Sequence, residues 1–199
     1  TLVCLRPEEL LADMKDVAKD EMVQLARNGC PSKGSMDIFV EPVKPQPELL
    51  VCGSGPVASA LLRIAASFGF SLVLCGEIEH AIADRRYASL VEMDRAAPPA
   101  VDRYVVVATQ GKGDVITLTA ALKMAVRYIA FVGSRRKFAS YKDKLANAGV
   151  SAVKIDAVRS PAGVHINAVT PDEIALSIMA EIIQTRRTAG QQRATNDAC

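Results

Sequence analysis

Between Pro47 and Gly76 two short apolar runs, Leu49 to Cys52 and Ser71 to Cys75, flank a glycine-broken turn and one helix-like segment. Apolar runs with no polar alternation suit strands buried on both faces. A helix between two such strands carries the chain back across the sheet, so the pair is parallel. The turn, Gly53-Ser54-Gly55-Pro56-Val57-Ala58, follows the pattern Gly-x-Gly-x-x-Ala. In such a turn Gly53 permits the tight bend, Gly55 lets backbone approach a phosphate, and Ala58 lets the helix lie close to the strand. The amide N–H groups at the helix start, with aligned peptide dipoles behind them, favour an anion.

The same theme recurs along the chain. Tyr104 to Ala108 is a buried strand ending in Thr109-Gln110-Gly111-Lys112-Gly113-Asp114 and a helix through Met124. Tyr128 to Val132 is another, ending in Gly133-Ser134-Arg135-Arg136-Lys137 before a helix to Ala148. Ala152 to Val158 reads as a fifth strand, interrupted by Ser160-Pro161-Ala162-Gly163. Strands alternating with helices in this way give a doubly wound α/β domain whose ligands bind at the carboxyl ends of its strands. Four loops of Gly, Ser, Thr and basic residues then fall on one rim.

The remaining segments are less regular. A short helix is expected near His80 to Arg86. Pro7 to Asn28 carries an apolar stripe behind Pro7, Glu8 and Glu9, which predicts an N-terminal helix. Met36 to Val40 reads as a short strand and Pro42 to Pro47 as a bridge. The organisation expected is an extension over 1–46, the α/β domain over 47–188 and a polar, disordered tail over 189–199. Val57 to Cys75 is the most hydrophobic window, but Arg63, Ser67 and the Phe68-Gly69-Phe70 turn make it a buried helix leading into a strand, so no membrane span is expected. A net charge of +2, with no basic run interleaved with aromatics, argues against nucleic acid. Five scattered cysteines without a Cys-x-x-Cys pair fit a reduced, cytoplasmic protein, in which Cys52 and Cys75 are small apolar strand residues.

Two helix starts contrast. Thr170-Pro171-Asp172-Glu173 opens the last long helix, ending near Arg187, with a capping box and acids at the positive end. After Gly133 the order is reversed: Ser134 can cap, but Arg135, Arg136 and Lys137 crowd that end, unfavourable by about 0.3–1 kcal/mol each. A bound phosphate would turn the repulsion into attraction; the alternative is that the side chains bend to solvent or pair with acids. Lys112 could reach a second anionic group or simply be solvated. Glu77, just past the second strand, stands near the spacing at which an acid grips a ribose hydroxyl. Asp114 reads as a first-turn helix acid. His80 and His165 form no metal-ligand pair, and no Gly-x-Ser-x-Gly elbow is present.

Taken together, the segments 29–43, 49–58, 105–114, 131–137 and 160–182 resemble the XdhC-like accessory proteins of xanthine and carbon monoxide dehydrogenases, with Gly-Ser-Arg-Arg-Lys and Thr-Pro-x-Glu-Ile-Ala the most specific blocks. The resemblance implies a Rossmann-like, mainly parallel sheet with an N-terminal helical extension. It also implies a factor that matures molybdenum hydroxylases by holding the molybdenum cofactor (molybdopterin or its dinucleotide form) while a terminal sulfur is installed, then handing it over. Partners would be an apo molybdenum hydroxylase and a sulfur-donating enzyme, and a homodimer through the first helix is open. The implied site draws on Gly53, Ser54, Gly55, Pro56, Val57, Glu77, Thr109, Gln110, Gly111, Lys112, Gly133, Ser134, Arg135, Arg136, Lys137, Pro161 and Gly163. Two departures stand out. Thr1 to Asn28 does not match the family's N-terminal domain, and Gln110 and Lys112 stand where many members carry histidines, as in the carbon monoxide dehydrogenase branch.

Such a factor binds and passes on its cargo without turnover. The alternatives are an NAD(P)-dependent oxidoreductase using the same turn, and a nucleotide-sensing domain docking through its first helix. The oxidoreductase lacks a Tyr-x-x-x-Lys pair, since Tyr141 with Lys142 and Lys144 has the wrong spacing.

Overall fold

The computed structural model describes residues 24–29, 35–40, 46–96 and 102–196. The chain divides into two units, Thr1–Pro45 with Ala189–Cys199, and Gln46–Thr188. In the first unit β1 (Gln24–Gly29) pairs antiparallel with β2 (Ser35–Val40), Leu25 opposite Phe39.

The second unit is built on a five-stranded, wholly parallel sheet. Its strands are β3 (Glu48–Cys52), β4 (Ser71–Cys75), β5 (Arg85–Tyr87), β6 (Arg103–Val107) and β7 (Tyr128–Phe131), in the order β5-β4-β3-β6-β7. The chain moves outward from β3 through β4 to β5, then returns to the other side of β3 for β6. The order therefore reverses between β3 and β6, the place where sheets of this kind open a crevice. Helix α1 (Pro56–Ala65) joins β3 to β4, α2 (Leu90–Ala96) follows β5, and α3 (Asp114–Lys123) joins β6 to β7. Three short helices, α4 (Arg135–Ala139), α5 (Lys142–Asn147) and α6 (Ala152–Asp156), precede the long α7 (Pro171–Asn196).

Strand periodicity sorts the core into two layers. Leu49, Val51, Leu72, Leu74, Tyr104 and Val106 face α1 and α7, where they meet Leu61, Leu62, Ile178 and Met179. Leu50, Cys52, Val73, Cys75, Val105 and Val107 face the other way, onto Met93, Leu118, Phe138, Leu145 and Ile155. Each fully buried Leu or Val contributes about 1.5–3 kcal/mol by leaving water.

One buried charge cluster ties the sheet together at its amino end. The Glu48 side chain is 3% exposed, accepts from Arg103 Nε at 2.8 Å and bonds Arg85 of β5, two strands away. Burial pushes the Glu48 carboxyl up, but bonds from Arg85 and Arg103 outweigh it and hold the group below the usual carboxylate range. Since β5 has only three residues, this link helps hold it to the edge.

Several expectations are corrected. Gln24–Gly29 is strand β1, where the N-terminal helix was expected to finish; the rest of that helix lies outside the described residues. The segment 80–86 is an irregular turn leading into β5, in which His80 has φ 54 and Asp84 accepts from the Leu72 N–H at 2.7 Å. The expected strand Ala152 to Val158 is instead α6: Ile155 and Val158, three apart, face inward while Val153 is 81% exposed, a helical period in place of alternation. Only Arg159 makes a strand-like bridge, to Ala130. The helix expected after Gly133 is two, broken where Ser140 Oγ bonds Lys137 O at 2.7 Å and Tyr141 turns its hydroxyl to Asp114. The last helix continues to Asn196, beyond Arg187, through residues expected to be disordered. No helix among the described residues is long and apolar enough to cross a membrane.

Candidate functional site at the switch point

The strand ends are drawn together by backbone bonds just past the strands. Gly53 N–H donates to Cys75 O at 3.0 Å, Gly76 N–H to Tyr87 O at 2.9 Å, and Ala108 N–H to Cys52 O at 2.7 Å. Gly53 has φ 138, and a Cβ built on it would stand 2.3 Å from Ala108 O. Only glycine lets β3 and β6 part at this distance. Beyond it, Gly55 is the cap residue of α1, with Pro56 in the first turn, no side-chain cap and no acidic residue there. A Cβ on Gly55 would meet the Gln110 amide at 2.5 Å, so the β6 loop folds back over the glycine turn.

Here lies a cleft of about 270 Å³. Its lining includes Gly53 and Ser54 from the β3 loop, Gly76 after β4, Ser89 before α2, Thr109 and Lys112 from the β6 loop, and Thr117 of α3. None of the lining residues is a carboxylate, and among the described residues Lys112 has no ion-pair partner. Hydroxyls and one ammonium around backbone N–H groups make a donor-rich, anion-accepting site. A second depression, about 490 Å³, shares Gly76 and Ala88 with the first and carries Glu77, Glu79, Glu92 and Arg86. The groove is thus cationic at one end and acid-bearing at the other.

The β6 loop owes its shape to Asp114, whose side chain is 2% exposed. Oδ1 accepts from Thr109 Oγ1 and, at 2.8 Å, from Gly111 N–H; Oδ2 accepts from Tyr141 OH at 3.0 Å and lies 2.7 Å from Lys137 Nζ. Burial raises the affinity of this carboxyl for a proton, but the bonds from Lys137, Thr109, Gly111 and Tyr141 prevail and keep it below its ordinary value. Lys137 is correspondingly raised by its bond to Asp114. Asp114 is therefore an organiser of the loop that presents Thr109 and Lys112.

The four loops lie on the same edge of the sheet, yet they do not all reach the cleft. Gly53, Ser54, Thr109 and Lys112 line it; Gly55, Pro56, Val57, Gln110 and Gly111 are their neighbours in the same two loops but line neither depression, and Glu77 sits in the adjoining one. Gly133, Ser134, Arg135, Arg136 and Lys137 do not line either. Ser134 caps its helix by accepting from Lys137 N–H at 3.1 Å, Lys137 is paired with Asp114, and Arg135 and Arg136 are exposed. That helix has only five residues, so its terminus carries little of the field expected of a long one. Pro161 and Gly163 line neither depression, and Gly163 is held against α7: its N–H donates to Glu181 Oε2 at 2.8 Å, beside the Tyr128 hydroxyl at 2.7 Å. Gly163, with φ 95, is required because a Cβ would fall 2.2 Å from Ser177 Oγ.

Sequence reasoning missed Cys52, Cys75, Gly76, Ser89 and Thr117 as lining residues. Ser89 could have been found: Ser89-x-x-Glu92 has the spacing of a capping box, and the structure shows its forward half, Glu92 N–H to Ser89 Oγ at 3.2 Å, while Glu92 Oε2 accepts from the preceding Ala88 N–H at 2.9 Å.

Fold and cleft define a dinucleotide-fold domain with an anion-accepting switch-point groove. The sequence profile of the XdhC Rossmann domain matches residues 49–182, and the chain belongs to that family. Among its relatives, the uncharacterized protein YqeB of Escherichia coli is 28% identical over 83% of this chain and 33% of its own length. A Bacillus subtilis protein named as a probable xanthine dehydrogenase subunit is 26% identical over 76% of this chain and 46% of its own. The crystal structure of a xanthine dehydrogenase from Bacillus halodurans superposes with a TM-score of 0.59 at 26% identity, over 77% of this chain and 46% of that one. The chain thus spans a third to just under half the length of these relatives.

Proposed function

We propose that this chain is an accessory factor for a molybdenum hydroxylase of the xanthine or carbon monoxide dehydrogenase type, holding the molybdenum cofactor by its phosphate end at the switch-point cleft. The observation that carries the reading is the lining of that cleft: Ser54, Ser89, Lys112 and Thr117 beside the uncapped start of α1, with no carboxylate. This donor set fits a phosphate or pyrophosphate. At about 270 Å³ the cleft suits the anionic end of a ligand, and the rest would extend along the groove toward Glu77. The association of two relatives with xanthine dehydrogenase by name supports the choice of cofactor.

When bound, the cofactor would supply a redox-active molybdenum centre for a client enzyme. What these residues do is bind, orient and shield. Lys112 neutralises phosphate charge, Ser54 and Thr117 offer hydroxyl donors, and Asp114, which takes the Thr109 hydroxyl hydrogen, keeps the loop in register. Hand-over to an apo-hydroxylase, with a sulfur-donating enzyme acting on the held cofactor in the cytoplasm, completes the reading. An NAD(P)-dependent oxidoreductase draws support from Glu77 in the adjoining depression, but Tyr141 is committed to Asp114 and Lys142 to Asp156, so that pair offers no spare proton donor. The test is reconstitution: apo-hydroxylase mixed with limiting cofactor should gain activity faster with the chain than without it. No difference, with wild-type chain in excess, removes the accessory role.

A further inference from the structure

Cys52 and Cys75 end neighbouring strands at the same register, opposite one another across the β3–β4 ladder. Adjacent strands lie about 4.8 Å apart, and both side chains point to the same face of the sheet. Both are free thiols. Although they are only 1% and 5% exposed, both line the cleft and form its sulfur-bearing floor beneath Gly53 and Gly76.

We infer that Cys52 and Cys75 form a two-thiolate site for one soft, monovalent d¹⁰ metal ion such as Cu(I). Paired thiolates select such ions over hard cations and need only two ligands for them. No cluster of three or more His, Cys, Asp or Glu that could hold a metal occurs among the described residues, so a site of higher coordination number is not offered. Binding balances as one Cu⁺ plus two thiols giving a bis-thiolate complex of charge −1 and two released protons. The complex would sit within the cleft that Lys112 also lines, whose cation offsets the charge. The metal's two ligands are the floor cysteines alone, but the complex shares the cleft and the Lys112 cation with the phosphate end proposed above, so the titration is done without phosphate.

The test uses the full reduced chain in which Cys4, Cys30 and Cys199 are changed to Ser, leaving Cys52 and Cys75 as its only thiols. Titrated anaerobically with Cu(I) against a competing chelator, it should take up one equivalent, and X-ray absorption should show two sulfur neighbours and no nitrogen. Cys75→Ser in that background should weaken the affinity by more than ~100-fold, beyond the effect of losing a supporting bond. Failure of the two-cysteine chain to compete for Cu(I), a nitrogen-containing shell, or equal affinity in a folded Cys75→Ser chain would each overturn the assignment. Because the first titration alters neither Cys52 nor Cys75, it stands even if the Ser variant does not fold.

Discussion

Lys137 Nζ lies 2.7 Å from Asp114 Oδ2, joining the β7 rim to the first turn of α3. A lysine that the sequence offers to a ligand is spent on holding the β6 loop. The distinction matters for what a substitution there would do.

Asp114→Ala would leave Thr109 Oγ1, Gly111 N–H and Tyr141 OH without their acceptor and Lys137 without its partner. Loss of a buried charged acceptor destabilises by about 3–5 kcal/mol, and the partial exposure of Lys137 places this case at the lower end. Chemical denaturation should show a fall of about 3 kcal/mol. Lys137→Ala should lose less, about 1–2 kcal/mol, because the remaining bonds still satisfy the carboxylate.

The same pairs set a pH dependence. Glu48 and Asp114 are both held below ordinary carboxylate values, Glu48 against burial by Arg85 and Arg103, and Asp114 against burial by Lys137 and its hydroxyl and amide donors. A depressed folded pKa stabilises fully above the unfolded value, about 4, and the gain disappears as pH falls through the folded value. Stability should be level from neutral pH down to about 5 and then decline. Glu48→Gln should make the acid limb shallower; an identical slope in a pH-resolved melting series would contradict the role given to Glu48.

Gly163→Ala should destabilise by about 1–3 kcal/mol, through a left-handed φ and the approach of its Cβ to Ser177. Anion affinity should be unchanged in the folded fraction, since Gly163 serves the contact with α7. Coupled melting and ligand-binding measurements separate the two effects.

Lys112→Ala should leave the melting temperature within a degree or so and weaken anionic-ligand binding by ~10-fold, the worth of one charge-assisted bond. The Arg135→Ala, Arg136→Ala double variant should lose less, because neither side chain lines the cleft. Equal losses would place the arginines in the site after all.

How far the sequence showed this can be traced residue by residue. Strands β3, β4, β6 and β7 were legible because apolar runs between helices have few other uses. Thr170 and Glu173 were legible because a capping box is local: Thr170 N–H donates to Glu173 Oε2 at 2.9 Å, and Glu173 N–H to Thr170 Oγ1. Strand β5 was hidden, since Arg85-Arg86-Tyr87 has no apolar pattern and is held by pairing with β4 and by the distant Glu48. α6 was misread because Val153, a strand former, lies exposed on a helix. At the site, the glycine turn and Lys112 were legible, but the partner of Lys137 was not, because Asp114 lies 23 residues earlier and only the adjacency of β6 and β7 unites them.

The most direct test is a titration of the wild-type chain and of Lys112→Ala with molybdenum cofactor released from a hydroxylase, followed by cofactor absorbance, with NADPH as competitor. The account predicts saturable binding, weakened by ~10-fold in the variant and not displaced by NADPH. Absence of saturation, equal affinity in the folded variant, or displacement by NADPH would contradict it.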